Sequence, residues 1–390
     1  MIARLVQWTI LLVRLWHALP GPLVRQTGVR QTSVRQTGFR RTSVSRTLAV
    51  AAYLLALLVA APLAAGQRTP LTGIDEENGL VGVPRGQVYY RLWRLEGRTR
   101  GPVASAKRPL IVYLHGGPGA NGTVFRHAVG ALIVRTVGDV LFIDQRGCGH
   151  SPTKGLVARD FTLERFTDDT RRVLSWVYAQ HPDLPRAVVV GHSFGAGLAV
   201  LLARDYPGLV ARVVLLSPAL DYRDLKYHAY LAMKDRAERE GDAEHLEHIR
   251  EMEELHPPGS ESESELFTTA LSGARFGFDA RRFAGAEEAD LYRILAARDG
   301  EQLRVAEHWR AFVAADRLDR KDLTPELVKL TTPVLVLGGQ EDFLTPPASL
   351  TRISVLTPGS RLQLMPAAGH HPYLVHPEAF VQALAGFILP

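Results

Sequence analysis

Three side chains of this 390-residue chain have the types and the order that acyl transfer needs. Ser193 lies in Gly191-His192-Ser193-Phe194-Gly195, Asp342 in GGQEDFLTP and His370 in PAAGHHP. A serine hydroxyl is a weak nucleophile until a base removes its proton, and an imidazole does this when a carboxylate holds its tautomer. Serine, then acid, then histidine is one of the orders in which such a relay recurs. Glu341 competes with Asp342 for the acid, and His371 with His370 for the base. Asp342 is preferred because it stands three residues past Gly339 and four before Pro346; His370 is preferred because it directly follows Gly369.

A tetrahedral intermediate also needs donors for its oxyanion. The residue after the nucleophile supplies one amide, here Phe194; a loop after an earlier strand supplies the other. The stretch IVYLHGGPGANG, residues 111–122, runs from strand-forming residues into His115-Gly116-Gly117-Pro118-Gly119, where the backbone is almost bare. Such a loop lets a carbonyl oxygen approach an amide closely. Gly117 is the expected second donor, with Gly116 as the alternative. A phosphate loop is the competing use of bare backbone, but no lysine follows and the spacing matches no nucleotide fingerprint.

These groups must be held by a frame. Apolar runs at 87–95, 110–114, 139–143, 187–191, 212–216, 333–338 and 361–365 read as strands, with amphipathic helices between several of them, as at 164–180 and 195–206. Unbroken apolar runs suit strands buried on both faces of a parallel sheet, so the expected class is α/β, mostly parallel and doubly wound. Ser193 follows one strand and opens a helix, which is the context of a nucleophile elbow. Asp342 and His370 each follow a later strand. Residues 221–330 hold no convincing strand and many Glu, Arg and Ala at helical spacing, so they read as a helical cap inserted between two core segments, 67–220 and 331–390.

HGGPG after one strand, DQRGCGHS (Asp144 to Ser151) after the next and GHSFG after the third together resemble the proline iminopeptidases of the α/β-hydrolase fold, over roughly residues 85–390. Members usually carry Gly-Gly-Ser-Trp-Gly at the elbow, so His192 and Phe194 are departures. The resemblance implies a serine hydrolase that removes an N-terminal residue, proline among the candidates, from short peptides. It also implies that cap carboxylates hold the substrate's amino group. A carboxylic-ester hydrolase with the same triad is the alternative. The cap glutamates Glu238, Glu240, Glu244, Glu247, Glu251, Glu253 and Glu254 read mainly as a solvated helix face, and His245 and His248 among them as surface rather than as a metal site. Asp144 and Arg146 read as braces of the loop beside the pocket. No metal or cofactor is expected.

The net charge of +6 is an N-terminal property: Met1 to Ile74 contain nine arginines and no Lys, Asp or Glu, which leaves −3 for the remainder. Nucleic acid is therefore not an expected partner; a small peptide or ester is. Cys148 is the sole cysteine, so no intrachain disulfide can form. Residues 1–66 read as a basic leader containing a five-residue repeat from Val24 to Thr47, followed by the apolar run at 48–66. That run ends in Ala64-Ala65-Gly66, which suits signal cleavage before Gln67 and export; left uncleaved, it is a membrane anchor. The leader is long for a signal, and initiation at Val44 would leave Arg46 as a short basic n-region. Deleting residues 1–43 and starting at Val44 as Met should leave export intact, with a mature chain beginning near Gln67 and needing no detergent. N-terminal sequencing of the exported protein checks this, and recovery only in detergent with residues 48–66 attached would favour the anchor.

Overall fold

The computed structural model describes residues 73–96, 108–257, 286–300 and 303–389. The leader and the apolar run at 48–66 lie outside them.

Strands with no polar interruption are stable only where both faces are covered. Here eight strands form one sheet in the order β1-β2-β4-β3-β5-β6-β7-β8. β1 (Ile74–Val83) and β2 (Gly86–Leu95) form an antiparallel hairpin, and β2 pairs antiparallel with β4 (Asp139–Asp144). β3 (Leu110–Leu114), β4, β5 (Ala187–His192), β6 (Val210–Leu216), β7 (Val334–Gly339) and β8 (Arg361–Met365) run parallel. Period-two alternation assigns neighbouring residues to opposite cores. Leu110, Val112 and Leu114 enter one apolar cluster, while Ile111 and Tyr113 enter the other. β5 divides likewise, Val189 on one side and Val188 and Val190 on the other.

Seven strands stand where the apolar runs place them. β1 is the addition: its sequence, IDEENGLVGV, begins with an acidic stretch and is exposed at half its positions, as an edge strand with one solvated face can be. Helix α1 (Leu163–Gln180), capped by the Thr162 side chain accepting from the Arg165 amide at 3.2 Å, and helix α2 (Phe194–Asp205) cover the first face. The helical stretch 123–136 and the C-terminal helix Pro377–Ile388 cover the other.

Chain direction makes the functional crevice. From β3 the chain moves to β4 on one side, then returns to β5 on the other. Loops that follow β3 and β5 therefore part at the sheet's carboxyl edge, where open α/β sheets bind ligands.

Between β6 and β7 the described residues hold helices α3 (Tyr222–Glu240), α4 (Ala243–Leu255), α5 (Ala286–Ala296) and α6 (Val305–Asp316). Asp221 caps α3 by accepting from the amides of Arg223 and Asp224, and Gly241 ends it in the left-handed conformation at φ +66°. Helix α6 is fastened to the core by Phe312, which is fully buried and meets Phe161, Phe166 and Phe194 with ring centroids 6.0, 4.8 and 5.1 Å away. Phe312→Ala should cost about 3–5 kcal/mol, because a rigid aromatic cluster collapses poorly around the void. Urea unfolding reads this as a fall in midpoint, and a loss below about 1 kcal/mol would mean that α6 contributes little to the core.

Candidate active site

Ser193 closes β5 at φ +52° and ψ −117°, a conformation that L-residues avoid. Such strain costs about 1–3 kcal/mol and persists only when neighbours over-determine it. The Ser193 amide donates to the Leu216 carbonyl at 2.9 Å, and its carbonyl accepts from the amides of Ala196 at 3.0 Å and Ala219 at 3.2 Å. The flanking glycines admit the turn. A Cβ on Gly191 would lie 2.4 Å from the Gly195 oxygen, and one on Gly195 would lie 2.3 Å from the Leu114 oxygen. The elbow is thus pressed onto the end of β3.

β7 and β8 deliver the remaining pair. His370 Nδ1 lies 2.9 Å from Asp342 Oδ2, both side chains being buried. Asp342 also accepts from the amides of Leu344 (2.9 Å) and Thr345 (3.0 Å) and from the Thr345 hydroxyl (2.6 Å). Burial alone would raise its pKa; the facing His370 and the Thr345 bonds outweigh burial and hold it below the usual carboxylate value. Of the alternatives left open by the sequence, this geometry pairs Asp342 with His370. Glu341 is exposed. His371 turns instead into a ring cluster with His192, Tyr292 and Tyr373.

No hydrogen bond joins the Ser193 hydroxyl to the His370 ring. The two loops meet through His192, whose Nε2 donates to the His370 carbonyl at 2.9 Å and whose ring lies 4.9 Å from that of His370. Nucleophile–base bonds are often long until substrate is bound.

The bare loop after β3 lies against the elbow: a Cβ on Gly116 would approach that of Ser193 to 3.0 Å. Gly117 sits at φ +120°. His115 is the brace of this loop. Its Nε2 accepts from the Gln145 amide at 3.0 Å, so Nδ1 carries the proton and donates to the Gly116 carbonyl at 2.9 Å. Burial keeps His115 below its ordinary pKa, in keeping with the neutral ring that this bonding requires. The Gln145 side-chain amide returns a bond to the His115 carbonyl at 2.7 Å. Among the described residues, no acceptor takes the amides of Gly117 or Phe194.

DQRGCGHS forms the next wall. Arg146 is buried and makes a two-pronged pair with Asp169 at 2.8 and 2.7 Å. Asp144 accepts from the His150 amide at 3.0 Å. Burial pushes the Cys148 thiol well above its ordinary pKa, so it stays protonated, 3.4 Å from His308 Nδ1.

Three cap residues that sequence reasoning did not single out touch these loops. His308, from α6, lies beneath Gly119 and Cys148, and the Arg304 amide donates to the Gly119 carbonyl at 2.8 Å. Glu288, from α5, is buried and accepts from the amides of Gly369 (2.9 Å) and His371 (3.0 Å). A signal existed for it: Glu288 shares the apolar stripe of α5 with Ala289 and Tyr292, where a carboxylate needs a partner. Of the glutamates first weighed, Glu238, Glu244, Glu247, Glu251 and Glu254 are exposed, and Glu253 is engaged by Tyr230 and Lys234. Among the described residues, no cluster of acids, histidines or cysteine has a metal-holding arrangement.

His308 makes stability depend on pH. Burial foremost, and then His115, push its pKa down from 6.5 to about 4. The unfolded chain takes up the proton first as pH falls, so the contribution is complete above pH 6.5 and is lost between there and about pH 4. The slope is at most about 1.4 kcal/mol per pH unit. His308→Leu should flatten that limb in urea titrations at pH 7, 5.5 and 4.5, whereas parallel losses in both proteins would place the titrating group elsewhere.

The sequence matches the alpha/beta hydrolase fold family over residues 109–377. It is 25% identical over 292 residues to a probable aminopeptidase, YbaC, of Bacillus subtilis, covering 72% of this chain and 88% of that one. It is 30% identical over 285 residues to a pimeloyl-[acyl-carrier protein] methyl ester esterase of Neisseria meningitidis, covering 71% of this chain and 93% of the other. Among solved structures it resembles a proline iminopeptidase-related protein of Thermus thermophilus, with a TM-score of 0.60 and 26% identity over 80% of this chain and 99% of that one. With its mostly parallel eight-stranded sheet, its elbow at Ser193 and this match over most of its length, the chain belongs to the α/β-hydrolase family.

Proposed function

We propose that the chain is a serine hydrolase acting through Ser193, Asp342 and His370, and that its substrates are short peptides from which it removes an N-terminal residue, proline among the candidates. The observation that carries the reading is the strained Ser193 elbow beside the HGGPG loop, with the Asp342–His370 pair held on the same sheet edge. Asp342 keeps the His370 proton on Nδ1, which leaves Nε2 to accept the serine proton as Oγ attacks the carbonyl carbon. The amides of Phe194 and Gly117 receive the oxyanion. As the intermediate collapses, Nε2 returns the proton to the leaving amine. Water, deprotonated by the same nitrogen, then attacks the acyl-serine; as the Oγ–acyl bond breaks, Nε2 returns that proton to Ser193 Oγ and the acid product departs.

Similarity to proteins named as an aminopeptidase and as proline iminopeptidase-related supports the peptide reading. Similarity to the methyl ester esterase favours a second one, hydrolysis of carboxylic esters by the same groups. Export through the apolar run at 48–66 belongs to the proposal, and rests on its length and its small-residue end.

Recognition of a charged amine separates the two. An ammonium shielded from water needs a carboxylate partner, so acetylating the substrate's amine should lower kcat/KM by about a hundredfold or more for an aminopeptidase. The measurement compares proline p-nitroanilide, its N-acetyl form and p-nitrophenyl butyrate on one preparation. Preference for the butyrate or the acetylated compound would sink the peptide reading. Ser193→Ala, run alongside, should lose fluorophosphonate labelling and depress turnover by roughly a million-fold; persistent labelling would assign the nucleophile elsewhere.

A further inference from the structure

We propose that Glu288 of the cap is a positioning residue for His370, holding the backbone on both sides of the base so that docking of α5 aligns the imidazole. The inference rests on the assignment of His370 as that base.

The geometry is specific to the base. Glu288 Oε2 accepts from the Gly369 amide at 2.9 Å and Oε1 from the His371 amide at 3.0 Å, so one carboxyl group brackets residue 370. The side chain is buried, with 1% of its surface exposed. Placing a carboxylate there costs several kcal/mol unless donors meet it. If α5 merely covered the sheet, an apolar residue such as its neighbours Ala289 and Tyr292 would serve. What a carboxylate adds is two acceptors at a separation matched to amides i and i+2.

The other attachments of His370 complete the hold. Its carbonyl accepts from His192 Nε2 at 2.9 Å, and its Nδ1 faces Asp342 at 2.9 Å. The loop is also tied to the loop after β7, because the Glu341 amide donates to the Ala368 carbonyl at 2.9 Å. Backbone, carbonyl and one ring nitrogen are therefore each held, and Nε2 is the part directed to chemistry. Glu288 supplies a backbone hold that comes from the cap. Each of its oxygens accepts one loop amide, so the carboxyl group is fixed in direction by the backbone of the base. A displacement of about 1 Å at a reacting group can cost on the order of a hundredfold in rate.

The test uses Glu288→Ala and Glu288→Gln in the full chain, with His370→Ala beside them. Steady-state kinetics on the best substrate of the panel should show kcat falling by about a hundredfold in Glu288→Ala with KM within about threefold. Sodium formate should restore part of the lost kcat in Glu288→Ala, because it supplies two acceptors to the emptied space. It should not do so in Glu288→Gln, whose amide fills that space and sets one N–H against a loop N–H. Should the alanine variant fail to fold, Glu288→Gln keeps the volume, and its kcat is still expected to fall by at least about tenfold. Turnover at the wild-type rate in both variants, with His370→Ala inactive, would overturn the positioning role while leaving the proposed function standing. A loss expressed in KM with kcat intact would also overturn it, and would make Glu288 a binding group. An active His370→Ala would remove the proposed function and this inference together.

Discussion

Presenting a serine hydroxyl above a sheet requires the chain to turn from strand to helix within one residue, and that residue must take a backbone conformation it would otherwise avoid. Ser193 does so at φ +52° and ψ −117°, and much of the surrounding structure serves to hold it there. Its amide and carbonyl are tied to the ends of β6 and to the residues just beyond. Its flanking glycines let the new helix touch its own strand and the carbonyl end of β3. Because β3 lies next to β5, the same close approach brings the HGGPG loop against the elbow. The strain is the consequence of exposing one hydroxyl while burying everything beneath it.

The cap takes part in this frame. Loops at the end of a parallel sheet carry amides and carbonyls that no strand can satisfy, and in a buried place each needs a partner. Helix α6 brings the Arg304 amide to the loop after β3 and sets His308 against Cys148. Helix α5 brings Glu288 to the loop after β8. Phe312 anchors α6 in the aromatic cluster that also receives Phe194, the residue after Ser193. The cap is thus bonded to the walls of the crevice on two sides, and moving either helix would strand buried polar groups.

This division of labour bears on specificity. The groups proposed for chemistry respond to a carbonyl carbon and its developing oxyanion, which peptides and esters share. Discrimination between the two rests on whatever meets the amine, and the described cap offers exposed glutamates and one buried glutamate whose oxygens each accept a loop amide. The expectation that cap acids form mostly a solvated face therefore holds for those described, while Glu240 and the segment 258–285 lie outside that description.

Much of the site is legible along the chain because its requirements are local. A tight strand-to-helix turn demands Gly-x-Ser-x-Gly, a bare donor loop demands glycines, and buried parallel strands demand unbroken apolar runs; each leaves a mark within five or six residues. β1 was not legible, since an acidic edge strand lacks both alternation and an apolar run. Nor could sequence choose between Asp342 and Glu341, or between His370 and His371, beyond weighing their neighbours. Adjacent residues of one loop differ only in where the fold points them, and tertiary structure buried Asp342 against His370 while leaving Glu341 exposed. Glu288 is the clearest case. In sequence it is half of a Glu287-Glu288 pair on a charged helix, and only packing of α5 over the β8 loop, 81 residues from Gly369, turned one of the pair outward and gave the other two buried amides to hold. Motifs record what the backbone must do within a few residues; partners that meet across the fold are decided by which faces pack, and no local spacing records that.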